Sequence, residues 1–180
     1  GASSGIGEAL AHLFAPEQQT LVLVARRKER LDALAKELNA KHGIKVHVIA
    51  QDLQEIGAAA NLMNSIANLN LTVDTLVNNA GFGISAPFAK SDGAKTSAMM
   101  QLNMVALTEL THMALPAMLE RRHGRIMNIA SVVAFQPCPY FAVYAASKAY
   151  VLSFTEALAA EVVDRGILVT AVCPGSTDTG

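Results

Sequence analysis

The chain alternates between two hydrophobic periods, and no other feature restricts its fold so tightly. Short runs of leucine and β-branched residues occur at Thr20–Ala25 (TLVLVA), 44–50 (IKVHVIA), 73–77, 125–130 and 167–172. Runs of that length and composition are the pattern of strands covered on both faces. Between them, apolar residues recur at helical spacing: Leu31, Leu34, Ala35 and Leu38 within 28–41, then Ile56, Ala59, Ala60, Met63 and Ile66 within 55–69. Longer helical stretches run from about 95 to 120 and from about 141 to 164. Residues 8–15 read as a helix stopped by Pro16, and 28–41 as one that ends before Gly43. Strand and helix in succession, joined by short turns, predict parallel strands linked by helical crossovers, an α/β doubly wound parallel sheet. In such sheets a ligand sits outside the carboxyl ends of the strands, so function is expected in the turns that follow them.

Composition removes several classes of function. At 180 residues the chain suits one domain, 1–180, and 52% hydrophobic residues exclude intrinsic disorder. With 14 Lys+Arg against 15 Asp+Glu, nothing electrostatic points to nucleic acid or an anionic membrane as partner. The apolar runs are too short to span a bilayer, and the opening segment has neither the charged nor the apolar region of a signal peptide. Cys138 and Cys173 form no CxxC, and the five histidines include no helical i, i+4 pair and no HExxH, so no metal site is indicated. These traits describe a neutral, cytoplasmic globular protein.

Three motifs carry chemistry. Gly1-Ala-Ser3-Ser4-Gly5-Ile6-Gly7 precedes a helix, where glycines permit a tight turn and the helix N-terminus offers N–H groups to a pyrophosphate. Its GxxxGxG spacing differs from the commonest dinucleotide fingerprint, and alone it also fits an ordinary flexible turn. Arg26-Arg27-Lys28 follows the first visible strand, where an acidic residue would bind a ribose 2′-hydroxyl and an arginine a 2′-phosphate. Three cations at a helix start oppose the macrodipole, so an anion nearby would explain them, favouring NADP(H) over NAD(H). Tyr144 and Lys148 stand at i, i+4 within a helix, on one face. A phenol becomes a useful base at neutral pH only with about 4 kcal/mol of extra phenolate stabilisation, and a partly desolvated lysine a few ångströms away is one source of that size.

In register these motifs resemble the short-chain dehydrogenase/reductase family, single-domain NAD(P)-dependent oxidoreductases built on a Rossmann sheet. The resemblance runs from residue 1 to 180: the glycine loop, Asp52-Leu53, Asn78-Asn79-Ala80-Gly81, Asn103, Ser131, the YxxxK of Tyr144 and Lys148, and Pro174-Gly175 with Thr179. It implies that Gly1, Ser3, Gly5, Ile6 and Gly7 line the pyrophosphate and adenosine ribose, and that Arg26, together with Arg27, faces the 2′-phosphate. Asp52 and Leu53 would contact adenine, Asn79-Ala80-Gly81 would pack on the adenosine side, and Pro174, Gly175 and Thr179 would hold the nicotinamide end. Asn103, Ser131, Tyr144 and Lys148 would form a catalytic tetrad.

The activity so implied is interconversion of a small-molecule carbonyl and alcohol by hydride transfer, with Tyr144 as general acid or base. Lys148 would assist the phenol and hold the nicotinamide ribose, Ser131 would donate to the substrate oxygen, and Asn103 would hold a water linking Lys148 to solvent. An NAD-dependent alcohol dehydrogenase of the same family is the alternative, as is a cofactor-sensing regulator without turnover, against which the complete tetrad argues. The helices near 95–120 and 141–164 resemble those through which the family forms homodimers and homotetramers. Met99, Met100, Met104, Met113 and Met118 then serve as core or interface filler. The apolar loop from Val132 to Phe141 hints at a hydrophobic substrate. Family members place a central strand before the first glycine, and a final strand and helix after the Pro174-Gly175 turn. The resemblance therefore implies a Rossmann fold truncated at both ends, a fragment unstable or poorly active alone.

Overall fold

The computed structural model describes residues 1–17 and 19–176; Thr179 lies outside the described residues. The described chain forms two compact units, one from Gly1 to Leu53 and one from Gln54 to Ser176.

In the first unit, β1 (Thr20–Ala25) and β2 (Lys45–Ala50) pair in parallel, with Thr20 opposite Lys45 and Ala25 opposite Ala50. Helix α1 (Gly5–Phe14) precedes β1, and α2 (Lys28–His42) makes the crossover to β2. Leu31, Leu34 and Leu38 form the buried stripe of α2 and pack with Ala11, Ala15, Leu23, Ala25 and Ile44. Burying side chains of that size contributes roughly 1.5–3 kcal/mol each. As expected, α2 stops at Gly43, whose left-handed φ of 67° lets its N–H cap Asn39 O at 2.8 Å. The loop that opens the chain is tied to the end of β1, because the main-chain nitrogens of Gly1 and Ala2 both donate to Val24 O, at 2.8 and 3.1 Å.

The second unit holds a parallel sheet in the order β3-β4-β5 (Thr75–Asn78, Gly124–Ile129, Ile167–Val172). Helices α3 (Ala58–Asn68), α4 (Gly93–Met100), α5 (Leu107–Arg121) and α6 (Ala142–Val162) connect and cover these strands. Ala114, Met118, Ile126, Leu158, Val162, Ile167 and Val169 form its larger core.

Two expectations change here. Helix α3 begins at Ala58 after a left-handed Gly57, which leaves Ile56 outside the helix and 94% exposed. The stretch near 95–120 is not one regular helix, because a π-helical segment, Gln101–Ala106, separates α4 from α5. Of the methionines, Met99 and Met118 are buried and Met113 is partly exposed. No helix among the described residues is long and apolar enough to cross a membrane.

Candidate active site

In the first unit, the glycine loop is shaped to leave a helix N-terminus open. Ser4 is extended and its side chain makes no cap on the first turn of α1. Gly5 opens the helix with φ 56°, a left-handed conformation that glycine adopts at no steric cost, and Gly7 is buried a half-turn on. Uncapped N–H groups at the positive end of a ten-residue helix suit a pyrophosphate, so this segment fits the cofactor implied by the sequence.

The two arginines divide their work. Arg27 braces the loop: Nε and Nη2 donate to Ser3 Oγ at 3.3 and 3.1 Å, and Nη2 also to Ser3 O at 3.3 Å and Ser4 Oγ at 2.8 Å. Arg26 extends into solvent, its side chain 67% exposed, with Asp52 Oδ2 3.8 Å away. Leu53 beside Asp52 is buried, and Ile6 is half-buried.

In the second unit, the carboxyl end of β4 and the start of α6 bring the remaining groups into position. Ser131 lies two residues beyond β4, is 7% exposed, and accepts from Val133 N at 3.4 Å as it caps the turn Val132–Phe135. Tyr144 and Lys148 occupy successive turns of α6, with Lys148 Nζ 5.9 Å from the phenol ring centroid. Lys148 is 6% exposed and donates to Ile129 O at 2.7 Å. Burial pushes its ammonium down to about 8, with a smaller opposing influence from Cys173. An ammonium has three donors, so two remain for a ligand's hydroxyls.

Asn103 sits in the π segment at 2% exposure and clamps a neighbouring loop. Its Oδ1 accepts from Phe82 N at 3.2 Å, while Nδ2 donates to Phe82 O at 3.0 Å and Ser147 Oγ at 3.1 Å. Ser147 in turn donates to Tyr144 O at 2.7 Å. A Cβ on Gly81 would stand 3.0 Å from Asn103 Oδ1 and 3.5 Å from Lys148 Nζ, so glycine is what admits this close approach. The carboxamide thus holds main chain. Asn79 and Ala80 lead from the end of β3 into the same loop. Beyond β5, Pro174 O accepts from Val132 N at 3.1 Å, which fixes the turn into Gly175 beside the Ser131 segment.

The sequence offers no reason to single out Ser147, the main chain of Phe82, Gly83 or Ile129 O. It also passed over a buried polar ladder: Asn78 Nδ2 donates to Thr111 Oγ1 at 3.0 Å and Asn128 Oδ1 at 2.9 Å, and Asn128 Nδ2 to Thr155 Oγ1 at 3.0 Å. An asparagine inside the apolar strand RIMNI was the available signal. Cys138 lines an apolar cleft of about 650 Å³ with Pro137, Pro139, Ala142, Ala145 and Ala149.

Known proteins share this sequence pattern and fold. The profile of the short chain dehydrogenase family matches residues 1–180. A ketoacyl reductase, HetN, from Nostoc sp. is 35% identical over 97% of the chain and 61% of its own length. Sulfoacetaldehyde reductase 2 from Chromohalobacter salexigens is 37% identical over 99% of the chain and 71% of its own length. The chain thus spans roughly two thirds of these curated relatives. A short-chain dehydrogenase from Sphingobium yanoikuyae, solved in complex with NADPH, superimposes with a TM-score of 0.93 at 38% identity, covering 99% of this chain and 70% of that one. The chain belongs to the short-chain dehydrogenase family.

Proposed function

We propose that the protein is an NADP(H)-preferring oxidoreductase that interconverts a small-molecule carbonyl and its alcohol. The observation that carries this reading is the buried Lys148, anchored on Ile129 O with its ammonium 5.9 Å from the Tyr144 ring centroid. A nicotinamide cofactor, when bound, supplies or accepts the hydride. Gly1, Ser3, Gly5, Ile6 and Gly7 would hold its pyrophosphate and ribose, with Asp52 and Leu53 at adenine and Asn79, Ala80 and Gly81 on the adenosine side. Arg26 would meet the 2′-phosphate while Arg27 keeps the loop in shape. Pro174, Gly175 and Thr179 would hold the nicotinamide end.

Tyr144 passes its hydroxyl proton to the substrate oxygen during reduction and takes it back during oxidation. Lys148 keeps positive charge beside that phenol, and Ser131 donates to the same substrate oxygen. Asn103 fixes the loop that borders both. The NADPH complex of the Sphingobium relative supports the cofactor preference. Two free cysteines accord with the reducing cytoplasm, and Met113 and Tyr150, each 39% exposed on α5 and α6, suit contacts in a homodimer or homotetramer.

Steady-state rates with NADPH and NADH on a panel of ketones and aldehydes test the assignment. Tyr144→Phe is expected to lower kcat by about 10²–10⁴-fold while NADPH still binds. Undiminished turnover in that variant would overturn the mechanism, and faster turnover with NADH would overturn the cofactor preference.

A further inference from the structure

Gly83 lies against the ring of Tyr144: a Cβ built on it would stand 3.1 Å from Cγ and Cδ2 and 3.3 Å from Cδ1. Those distances fall inside the roughly 3.5–4.0 Å of ordinary carbon contact. Neither Gly81 nor Gly83 has a left-handed φ, so the backbone conformation does not call for glycine at either position. What calls for it is space. Gly81 leaves room for Asn103 and Lys148, and Gly83 leaves room for the phenol.

The loop cannot recoil from the ring. Phe82, between the two glycines, has both its N–H and its C=O held by the Asn103 carboxamide. Asn103 is bonded to Ser147, and Ser147 to the carbonyl of Tyr144 itself. Gly83 and Tyr144 therefore lie at the two ends of one hydrogen-bonded chain, so the loop that faces the ring is tied to the main chain behind it.

We infer that Gly83 is a positioning residue for Tyr144, its bare Cα forming the wall against which the phenol ring rests. This rests on the reading of Tyr144 as the proton-transferring group. A methyl at position 83 would push on the ring atoms nearest the helix, and rotation about the tyrosine χ angles carries the displacement outward to about 1 Å at the hydroxyl, enough to cost up to 10²-fold in rate.

The test uses the full-length protein with Gly83→Ala. As control it uses Gly93→Ala, at a position where a Cβ meets nothing within 4 Å. G83A is expected to lower kcat about 10- to 100-fold, with KM and the Kd for NADPH within about twofold of the parent, while G93A leaves all three unchanged. Unchanged kcat in G83A, or a loss confined to KM, would overturn the inference. A thermal-melt cycle with Tyr144→Ala reads the packing independently of turnover. G83A should lower Tm when the ring is present and cost nothing when it is absent; an equal loss in both backgrounds would refute the contact, even if G83A alone folds poorly. Normal turnover by Tyr144→Phe sinks the catalytic reading instead, and leaves the melt cycle to decide the contact.

Discussion

Replacing Lys148 by methionine should remove activity and yet make the ligand-free protein more stable at neutral pH. Methionine has a similar length and no charge, so it fills the same buried channel without the cost of a buried ammonium. That cost follows from the fall of the lysine from 10.5 to about 8: at about 1.4 kcal/mol per pH unit, folding around the charged form forfeits about 3–4 kcal/mol. Against this stands the bond from the ammonium to Ile129 O, whose loss costs about 1.5 kcal/mol, the low end for a charged donor. The difference favours K148M by about 2 kcal/mol, roughly 30-fold in the folding equilibrium. Its sign must change with pH. Between about 8 and 10.5 the unfolded lysine binds a proton that the folded one has lost, so the parent gains stability relative to K148M as pH rises through that window. The penalty equals the hydrogen-bond contribution near about pH 9.5, above which the parent should be the more stable of the two. Urea unfolding of both proteins without cofactor, at about pH 7 and about pH 10, reads the two differences directly. A K148M protein that is less stable at neutral pH, or a difference that does not move with pH, would refute the reasoning.

Other substitutions separate roles assigned above. Arg26→Ala should cut kcat/KM for NADPH about 10- to 100-fold relative to NADH, the worth of a charged hydrogen bond to a phosphate, whereas Arg27→Ala should weaken both cofactors alike because it braces Ser3 and Ser4. Equal losses for both cofactors in the Arg26 variant would contradict the division. Asn128→Ala takes one buried partner from the amide of Asn78 and one from the hydroxyl of Thr155, leaves a cavity, and should cost about 2–4 kcal/mol by urea unfolding; a loss under about 0.5 kcal/mol would mean the ladder holds nothing.

Periodicity located the elements well where their causes are local. Thr20–Ala25 and Ile167–Val172 are strands at the expected bounds, and Gly43 ends α2 as a left-handed cap should. Ile56 keeps the apolar spacing yet lies outside α3, because the left-handed Gly57 starts the helix after it. The π segment was out of reach for another reason: no local preference calls for it, and its buried amide is bonded to Phe82, 21 residues earlier in the chain. In the site, YxxxK points to two side chains, but a spacing cannot report that Lys148 is anchored on a strand carbonyl or that Gly83 leaves room for the Tyr144 ring. The arginines show the same limit. Their place after β1 and their charge point both toward an anion, and folding adds that Arg27 bonds Ser3 and Ser4, more than 20 residues away. Among the described residues β1 pairs with β2 alone, and β3 with β4 alone.

The π segment also settles a matter of phase. In a regular α-helix each step of four residues overshoots a full turn by about 40°, so Met99, Asn103, Leu107 and Thr111 would wind progressively off one line. A turn closed by i→i+5 bonds holds more residues and takes up that overshoot where Asn103 lies. All four side chains are buried, at 1%, 2%, 6% and 2% exposure. The wide turn acts as a phase corrector, letting one seam of the helix bury Met99 and Leu107 on either side of a hydrogen-bonding amide, with Thr111 joining the polar ladder beyond.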